Sequence, residues 1–247
     1  MSVQPLLDVR GLSKSFGALR ATDGLDLCVQ PGELHALIGP NGAGKSTLMK
    51  QLSGEMQPDA GHIVYRGEDI TEVSAAKRAR LGIARSYQIT SVFPDYTALE
   101  NVAMAVQTRT TRGLSFLRRA SGDPELEKPA GTILERVGLK DFLHRPAAEL
   151  AHGQQRHGEL ELALLAVGEL MAGMGPQESK ILVDLLAELR GTVTILLVEH
   201  DMDAVFALAD RVTVLVYGRA IASGTADDIR NNAAVREAYL GEGDDAA

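Results

Sequence analysis

The stretch GPNGAGKST, Gly39–Thr47, constrains this chain more than any other feature. It lies between the apolar run Leu34–Ile38 and a helix-like segment, Ser46–Leu52. A short apolar run behind the punctuation Pro31–Gly32 predicts a buried strand. A strand that turns through glycines straight into a helix aims the helix N-terminus and several backbone N–H groups at one place, where an anion is stabilised. The spacing matches G-x-x-x-x-G-K-[ST], the phosphate-cradling P-loop. Gly39, Gly42 and Gly44 let the backbone approach phosphate oxygens closely. Lys45 supplies a point charge for the β- and γ-phosphates, and the Ser46 hydroxyl suits Mg²⁺. Pro40, Asn41, Ala43 and Thr47 complete the candidate nucleotide-binding loop.

The flanking sequence predicts an α/β domain. Leu6–Val9, Gly24–Val29, His62–Tyr65, Ile83–Tyr87, Val193–Val198 and Val212–Val216 read as strands, and Tyr217–Gly218 as a hairpin turn into Ala220–Ser223. Ala75–Leu81 and Met202–Leu208 read as helices, the former with two arginines on its exposed side. Ile181, Leu182, Leu185, Leu186 and Leu189 fall on one helical face. Strand–helix alternation at both ends implies a mostly parallel sheet. Between them, about 98–165 is predicted to be largely helical: Ala98–Val106, then Glu125–Val137 despite Pro129 and Gly131. Thr108–Asp123 reads as a surface loop or partly ordered insertion. Its basic part, Arg109–Arg119, is expected to be a solvated loop with a small apolar anchor, in preference to a contact with lipid or permease. The expected organisation is one domain over 1–240 and a flexible tail over 241–247.

Composition removes several classes. The 247 residues are enough for one core, and 45% hydrophobic with 23% charged residues excludes a disordered chain. No run of eighteen apolar residues occurs, so no membrane span is expected, and the N-terminus lacks the pattern of a secretory signal. One cysteine, Cys28, excludes an internal disulfide framework and fits a reducing cytosol. A formal charge of −8 disfavours nucleic acid as a partner. Aromatics are 4% of the chain, so few rings can serve a stacking site.

P-loops serve many chemistries, and the rest of the chain must choose among them. Leu150–Arg156 reads LAHGQQR, Gln88 ends GIARSYQ, His200 lies in LLVEHDM, Phe16 in KSFGALRA, and Gly173–Pro176 in AGMGP. Alone, each has an ordinary reading: a core phenylalanine, a surface glutamine, a structural histidine. Together, and in this order, they resemble the ATP-binding cassette (ABC) superfamily across nearly the whole chain. GIARSYQITSVFPDYTALENVAMA, VEHDMDAVFALADRVTVLVYGRAIASGTADDIRNN and VREAYLGE are similar to the ATPase subunits of branched-chain amino acid importers.

The resemblance implies an ABC-type P-loop nucleotide-binding domain. It has a mostly parallel sheet core, an antiparallel N-terminal β part and an inserted helical subdomain. It implies ATP and Mg²⁺, and a dimer, homo- or hetero-, of two ATPase subunits placed head to tail. The dimer would dock on transmembrane permease subunits at the inner face of the membrane, with an extracytoplasmic binding protein delivering substrate. In that scheme Phe16 stacks on adenine, and Gln88 touches Mg²⁺ or the attacking water. His200 holds the γ-phosphate. Ala151, His152, Gly153 and Gln154 contact the partner subunit's nucleotide.

One segment departs from the pattern. The family has four apolar residues, an Asp that holds Mg²⁺ and a catalytic Glu after the signature helix. This chain reads HGELELALLAVGELMAGMGP. Aligned backwards from AGMGP, Gly168 takes the Asp position, Glu169 the Glu position and Leu170 that of the following Pro. The segment is short by roughly six residues, about 9 Å of helix or about 20 Å of strand. Either the signature helix is cut short or a central strand is missing. Three readings follow: Glu169 acts as base in a distorted working site, the site binds ATP but hydrolyses it poorly, or the reading frame is defective. Impaired hydrolysis is the expectation, because the Mg²⁺-linked carboxylate is absent. The function expected is a transport ATPase subunit, and the alternative is an impaired subunit completing a heterodimer.

Overall fold

The computed structural model describes residues 4–86, 93–109, 122–136, 138–150, 165–168, 176–199 and 202–240. The first two strands, β1 (Leu7–Phe16) and β2 (Leu19–Val29), form a hairpin. They are longer than expected, because alternate residues such as Leu7 and Val9, Leu25 and Leu27, are buried on one face. Next come β3 (Leu34–Ile38), helix α1 (Lys45–Ser53), β4 (Ala60–Tyr65) and β5 (Glu68–Asp69). Helix α2 (Ala75–Arg80) leads into β6 (Ile83–Ser86). The helical part holds α3 (Ala98–Arg109) and α4 (Pro124–Arg136). Then follow β7 (Leu165–Gly168), α5 (Pro176–Leu189), β8 (Thr194–Val198), α6 (Met202–Leu208), β9 (Arg211–Val216), β10 (Arg219–Gly224), α7 (Ala226–Arg230) and α8 (Ala233–Leu240).

Two sheets result. An antiparallel sheet has the order β2-β1-β4-β5, and a mixed sheet the order β10-β9-β3-β8-β7-β6. In the mixed sheet only β9–β10 is antiparallel; β9, β3, β8, β7 and β6 run parallel. The parallel core and the antiparallel N-terminal part both follow the sequence-based expectation.

β3 explains why the sheet is buried on both faces. All five of its residues are buried. Leu37 packs with α1 (Leu48, Met49, Leu52) and the antiparallel sheet (Val9, Leu27, Ile63). Leu34 packs with α3, α4 and α5 through Val102, Leu134 and Leu186. Ala36 and Ile38 meet Val205, Ile229 and Val235 of α6, α7 and α8. Each large apolar side chain buried this way contributes roughly 1.5–3 kcal/mol. In α5, Leu182, Leu186 and Leu189 form the buried stripe. In α4, Leu126, Ala130 and Leu134 do so at i, i+4 spacing, and the helix carries Pro129 through its length. A proline inside a helix costs about 3 kcal/mol, which burial of that stripe offsets.

One expectation is corrected, and one alternative is decided. Of the arginines of α2, Arg80 is exposed but Arg78 is fully buried. Its guanidinium finds carbonyl partners in the preceding loop, Ile70, Thr71 and Val73, and at the end of α1, Gln51 and Leu52, so helical spacing alone could not reveal it. The central strand after the signature segment is present. β7 pairs in parallel with β6 and β8, placing Gly168 between Ser86 and Leu197. The ladder needs only four residues, which the shortened segment still supplies. The stretches 151–164 and 110–121 lie outside the described residues, so the signature helix and most of the basic stretch do too.

Candidate nucleotide-binding site

The site grows from the C-terminal end of β3. Gly39 follows Ile38 with φ +152°, and a Cβ there would lie 2.1 Å from the carbonyl oxygen of Leu215 on β9. At Gly44, φ is +102° and a Cβ would lie 2.0 Å from the carbonyl oxygen of Ala21 on β2. No larger residue fits either place without moving backbone. These glycines therefore seat the loop against two neighbouring strands. Between them Asn41 and Gly42 are exposed, Pro40 is half-buried and Ala43 is buried. The Ala43 N–H donates to Pro40 O at 3.2 Å, closing the loop on itself.

Gly44 is the N-cap of α1, with no side-chain cap and no acidic residue in the first turn. The helix start, without a side-chain cap, therefore turns the positive end of its dipole to whatever occupies the loop. Lys45 curls back over that space. Its ammonium donates to Gly39 O at 2.5 Å and to Pro40 O at 2.8 Å. Ser46 is exposed and Thr47 half-buried on the first turn. A helix start without a side-chain cap, a lysine and an exposed hydroxyl at one point make a site for a polyanion.

Two hairpins flank it. β1 ends at Phe16, paired with Leu19 in the turn into β2, two residues before Ala21. The Phe16 ring is 47% exposed, so one face can stack on a base. Lys14 Nζ lies 6.0 Å from the ring centroid and is anchored to Asp59 Oδ1 at 2.6 Å. On the other side the turn Tyr217–Gly218 closes on the loop: the Gly218 N–H donates to Ala43 O at 2.9 Å, and the Asp23 N–H to Gly218 O at 2.9 Å. Sequence reasoning identified the turn but not this contact. Nothing local in the sequence signals a hydrogen bond between residues so far apart.

The remaining candidates enter through topology. β3, β8, β7 and β6 are parallel neighbours, so their C-terminal ends share one edge of the sheet, where open α/β sheets bind ligands. In sequence His200 follows the end of β8 by two residues, Glu169 follows β7 by one and Gln88 follows β6 by two. Gln88, Glu169, His200 and the signature residues Ala151, His152, Gly153 and Gln154 lie outside the described residues themselves.

Mg²⁺ takes oxygen ligands, usually one or two carboxylates with phosphates and water. Ser46 fits as a donor, whereas Gly168 brings no carboxylate to the end of β7. Among the described residues no group of three or more His, Cys, Asp or Glu side chains could hold a metal. No described helix is long and apolar enough to cross a membrane.

Comparison with known proteins agrees with this geometry. Residues 22–171 match the family model described as ABC transporter. Residues 221–245 match the model of the branched-chain amino acid ATP-binding cassette transporter. The high-affinity branched-chain amino acid transport ATP-binding protein LivG of Escherichia coli is 39% identical over 255 residues, covering 97% of this chain and 99% of that protein. The corresponding protein BraF of Pseudomonas aeruginosa is 39% identical over 254 residues, with the same coverage. A solved ATP-binding cassette of an ABC transporter in its ADP conformation superposes with a TM-score of 0.84 at 28% identity, over 96% of this chain and 99% of that one. A nucleotide-free cassette gives a TM-score of 0.81 at 28% identity, with the same coverage. On the strength of the phosphate loop, the sheet around it and these matches, the chain belongs to the ABC transporter family of ATP-binding cassettes.

Proposed function

We propose that this chain is the ATP-binding, ATP-hydrolysing subunit of an ABC importer that takes up branched-chain or related amino acids. The observation that carries the reading is the uncapped start of α1 beneath Lys45, at the sheet edge where β3, β6, β7 and β8 end. Likeness over nearly full length to LivG and BraF supports the transport ATPase over an impaired partner subunit.

In this reading residues 1–240 are one domain, with the inserted helical part at about 98–165. Phe16 stacks on adenine. The loop from Gly39 to Thr47 holds the β- and γ-phosphates through backbone N–H groups, and Lys45 offsets their charge. Ser46 and Gln88 would hold Mg²⁺, which supplies further neutralisation of the phosphate oxygens. Glu169 accepts the proton of the attacking water, and His200 orients that water against the γ-phosphate. Ala151, His152, Gly153 and Gln154 of a second subunit close over the nucleotide. Hydrolysis then separates the two subunits, a gating step felt by permease subunits. An extracytoplasmic binding protein supplies the substrate, and the ATPase sits peripherally on the inner membrane face. Gly168 contributes no acid, so turnover is slow.

The test is titration of the purified chain with ATP, followed by uptake assays with its permease in vesicles. ATP binding lost on Lys45→Ala, and amino-acid uptake that needs ATP, are the expected results. Absence of ATP binding by the natural chain would overturn the proposal.

A further inference from the structure

The C-terminal end of α1 is tied to the β6 unit at two separate places. The helix closes at Gly54, whose N–H donates to Gln51 O at 3.2 Å, while the Glu55 N–H returns to Lys50 O at 3.0 Å. Glu55 is thereby fixed at the helix end, and the Ser53 hydroxyl donates to its Oε1 at 2.8 Å. The other carboxylate oxygen, Oε2, accepts from Arg85 Nη1 at 2.8 Å. Arg85 lies on β6, with its side chain 16% exposed, against 30% for Glu55.

The second tie is Arg78, just upstream of β6. Its Nη1 donates to Gln51 O at 2.7 Å and Leu52 O at 2.8 Å. Its Nη2 donates to Ile70 O at 2.7 Å and Thr71 O at 2.8 Å, and its Nε to Val73 O at 2.9 Å. Burial pushes its pKa down to about 10, so it stays charged at neutral pH. A cation on the last carbonyls of α1 also complements the negative end of that helix. The fit is close. Gly54 has φ +80°, and a Cβ there would lie 2.9 Å from Ala75 N and 3.0 Å from Arg78 Nε.

Among the described residues β6 stands at the edge of the sheet and pairs with β7. The helix that begins at the phosphate loop thus holds, at its far end, the strand that runs toward Gln88.

We propose that Arg85 and Glu55, backed by Arg78, are positioning residues that brace the end of β6 against the far end of α1, the helix that begins at the phosphate loop. This rests on the nucleotide reading above. It adds a mechanical link between that helix and the strand preceding Gln88.

The chain has no tryptophan, so Tyr87→Trp supplies a single emission reporter beside Gln88. ATP with Mg²⁺ is expected to change its emission. Adding Arg85→Ala or Glu55→Ala should cut that change by about threefold or more while keeping ATP affinity within about threefold. The two together should do no more than either alone, and the exchange Glu55→Arg with Arg85→Glu should restore the signal. Arg78→Lys, which keeps charge but not the fork of donors, should also reduce it. An unchanged signal in the single variants, or losses that add in the double variant, overturns the proposal. If the chain binds no ATP at all, the nucleotide reading fails. The brace is then read from hydrogen exchange at Ile83–Ser86. Faster exchange in Arg85→Ala supports it, and unchanged exchange rejects it.

Discussion

The backbone N–H of Gly218, at the tip of the β9–β10 hairpin, donates to the carbonyl of Ala43 inside the phosphate loop at 2.9 Å. The hairpin turn has φ +47° at Tyr217 and +78° at Gly218, as a two-residue type I′ turn requires. A Cβ at Gly218 would lie 2.9 Å from Ala21 O. Gly218→Ala is therefore expected to cost about 1–2 kcal/mol of stability, about 2–8 °C in melting temperature. It should also weaken ATP binding, because the loop loses its outer support. Thermal unfolding and nucleotide titration of the same variant check both.

Lys45→Ala removes the ammonium that spans Gly39 O and Pro40 O. A charge-assisted contact is worth about 1.5–3 kcal/mol. ATP affinity should fall by at least about tenfold, and the nucleotide-free chain should melt at a lower temperature because those contacts are lost. Calorimetric titration measures the first and a melting curve the second. Retained affinity would exclude this loop as the phosphate site.

Gly168 ends β7 between Ser86 and Leu197. An aspartate there would project from a strand end at the ligand-binding edge. Gly168→Asp should raise Mg²⁺-dependent ATP turnover about tenfold or more, and a further Glu169→Gln should abolish the gain. If the natural chain already turns over as fast as Gly168→Asp, the slow-site reading is wrong.

Among the described residues four carboxyls are held below their ordinary range: Asp23 by hydrogen bonding from Arg219, Asp59 by that from Lys14, Asp228 by that from Thr225, and Asp69, at about 2, by Thr71 and then His62. A depressed carboxyl stabilises the fold above its unfolded pKa, about 3.9. That stability is lost as pH falls through the folded value. The melting temperature should fall between pH about 4 and about 2, modestly, since these groups face solvent. Asp69→Asn should flatten that acid limb. A melting temperature constant over the same range would contradict the assignment.

Much of this molecule is legible along the chain. A strand of five buried residues, a glycine-rich turn and a helix are local, and their chemistry follows from backbone geometry within a dozen positions. The parallel core follows from alternation of strand and helix, and the family from motifs in order. Other features depend on contacts between distant segments. Arg78 looks like one more exposed helical arginine until five carbonyls from two segments, Gln51–Leu52 and Ile70–Val73, surround it. Gly39 and Gly44 look like loop glycines, yet their necessity comes from Leu215 and Ala21 on other strands. The short segment before Gly168 left open a shortened helix or a lost strand, and pairing with β6 and β8 forms the strand from four residues. Local propensity and motif spacing act within a few residues and can be read in order. Burial, close approach and ladder pairing depend on which distant segments meet, and folding settles that.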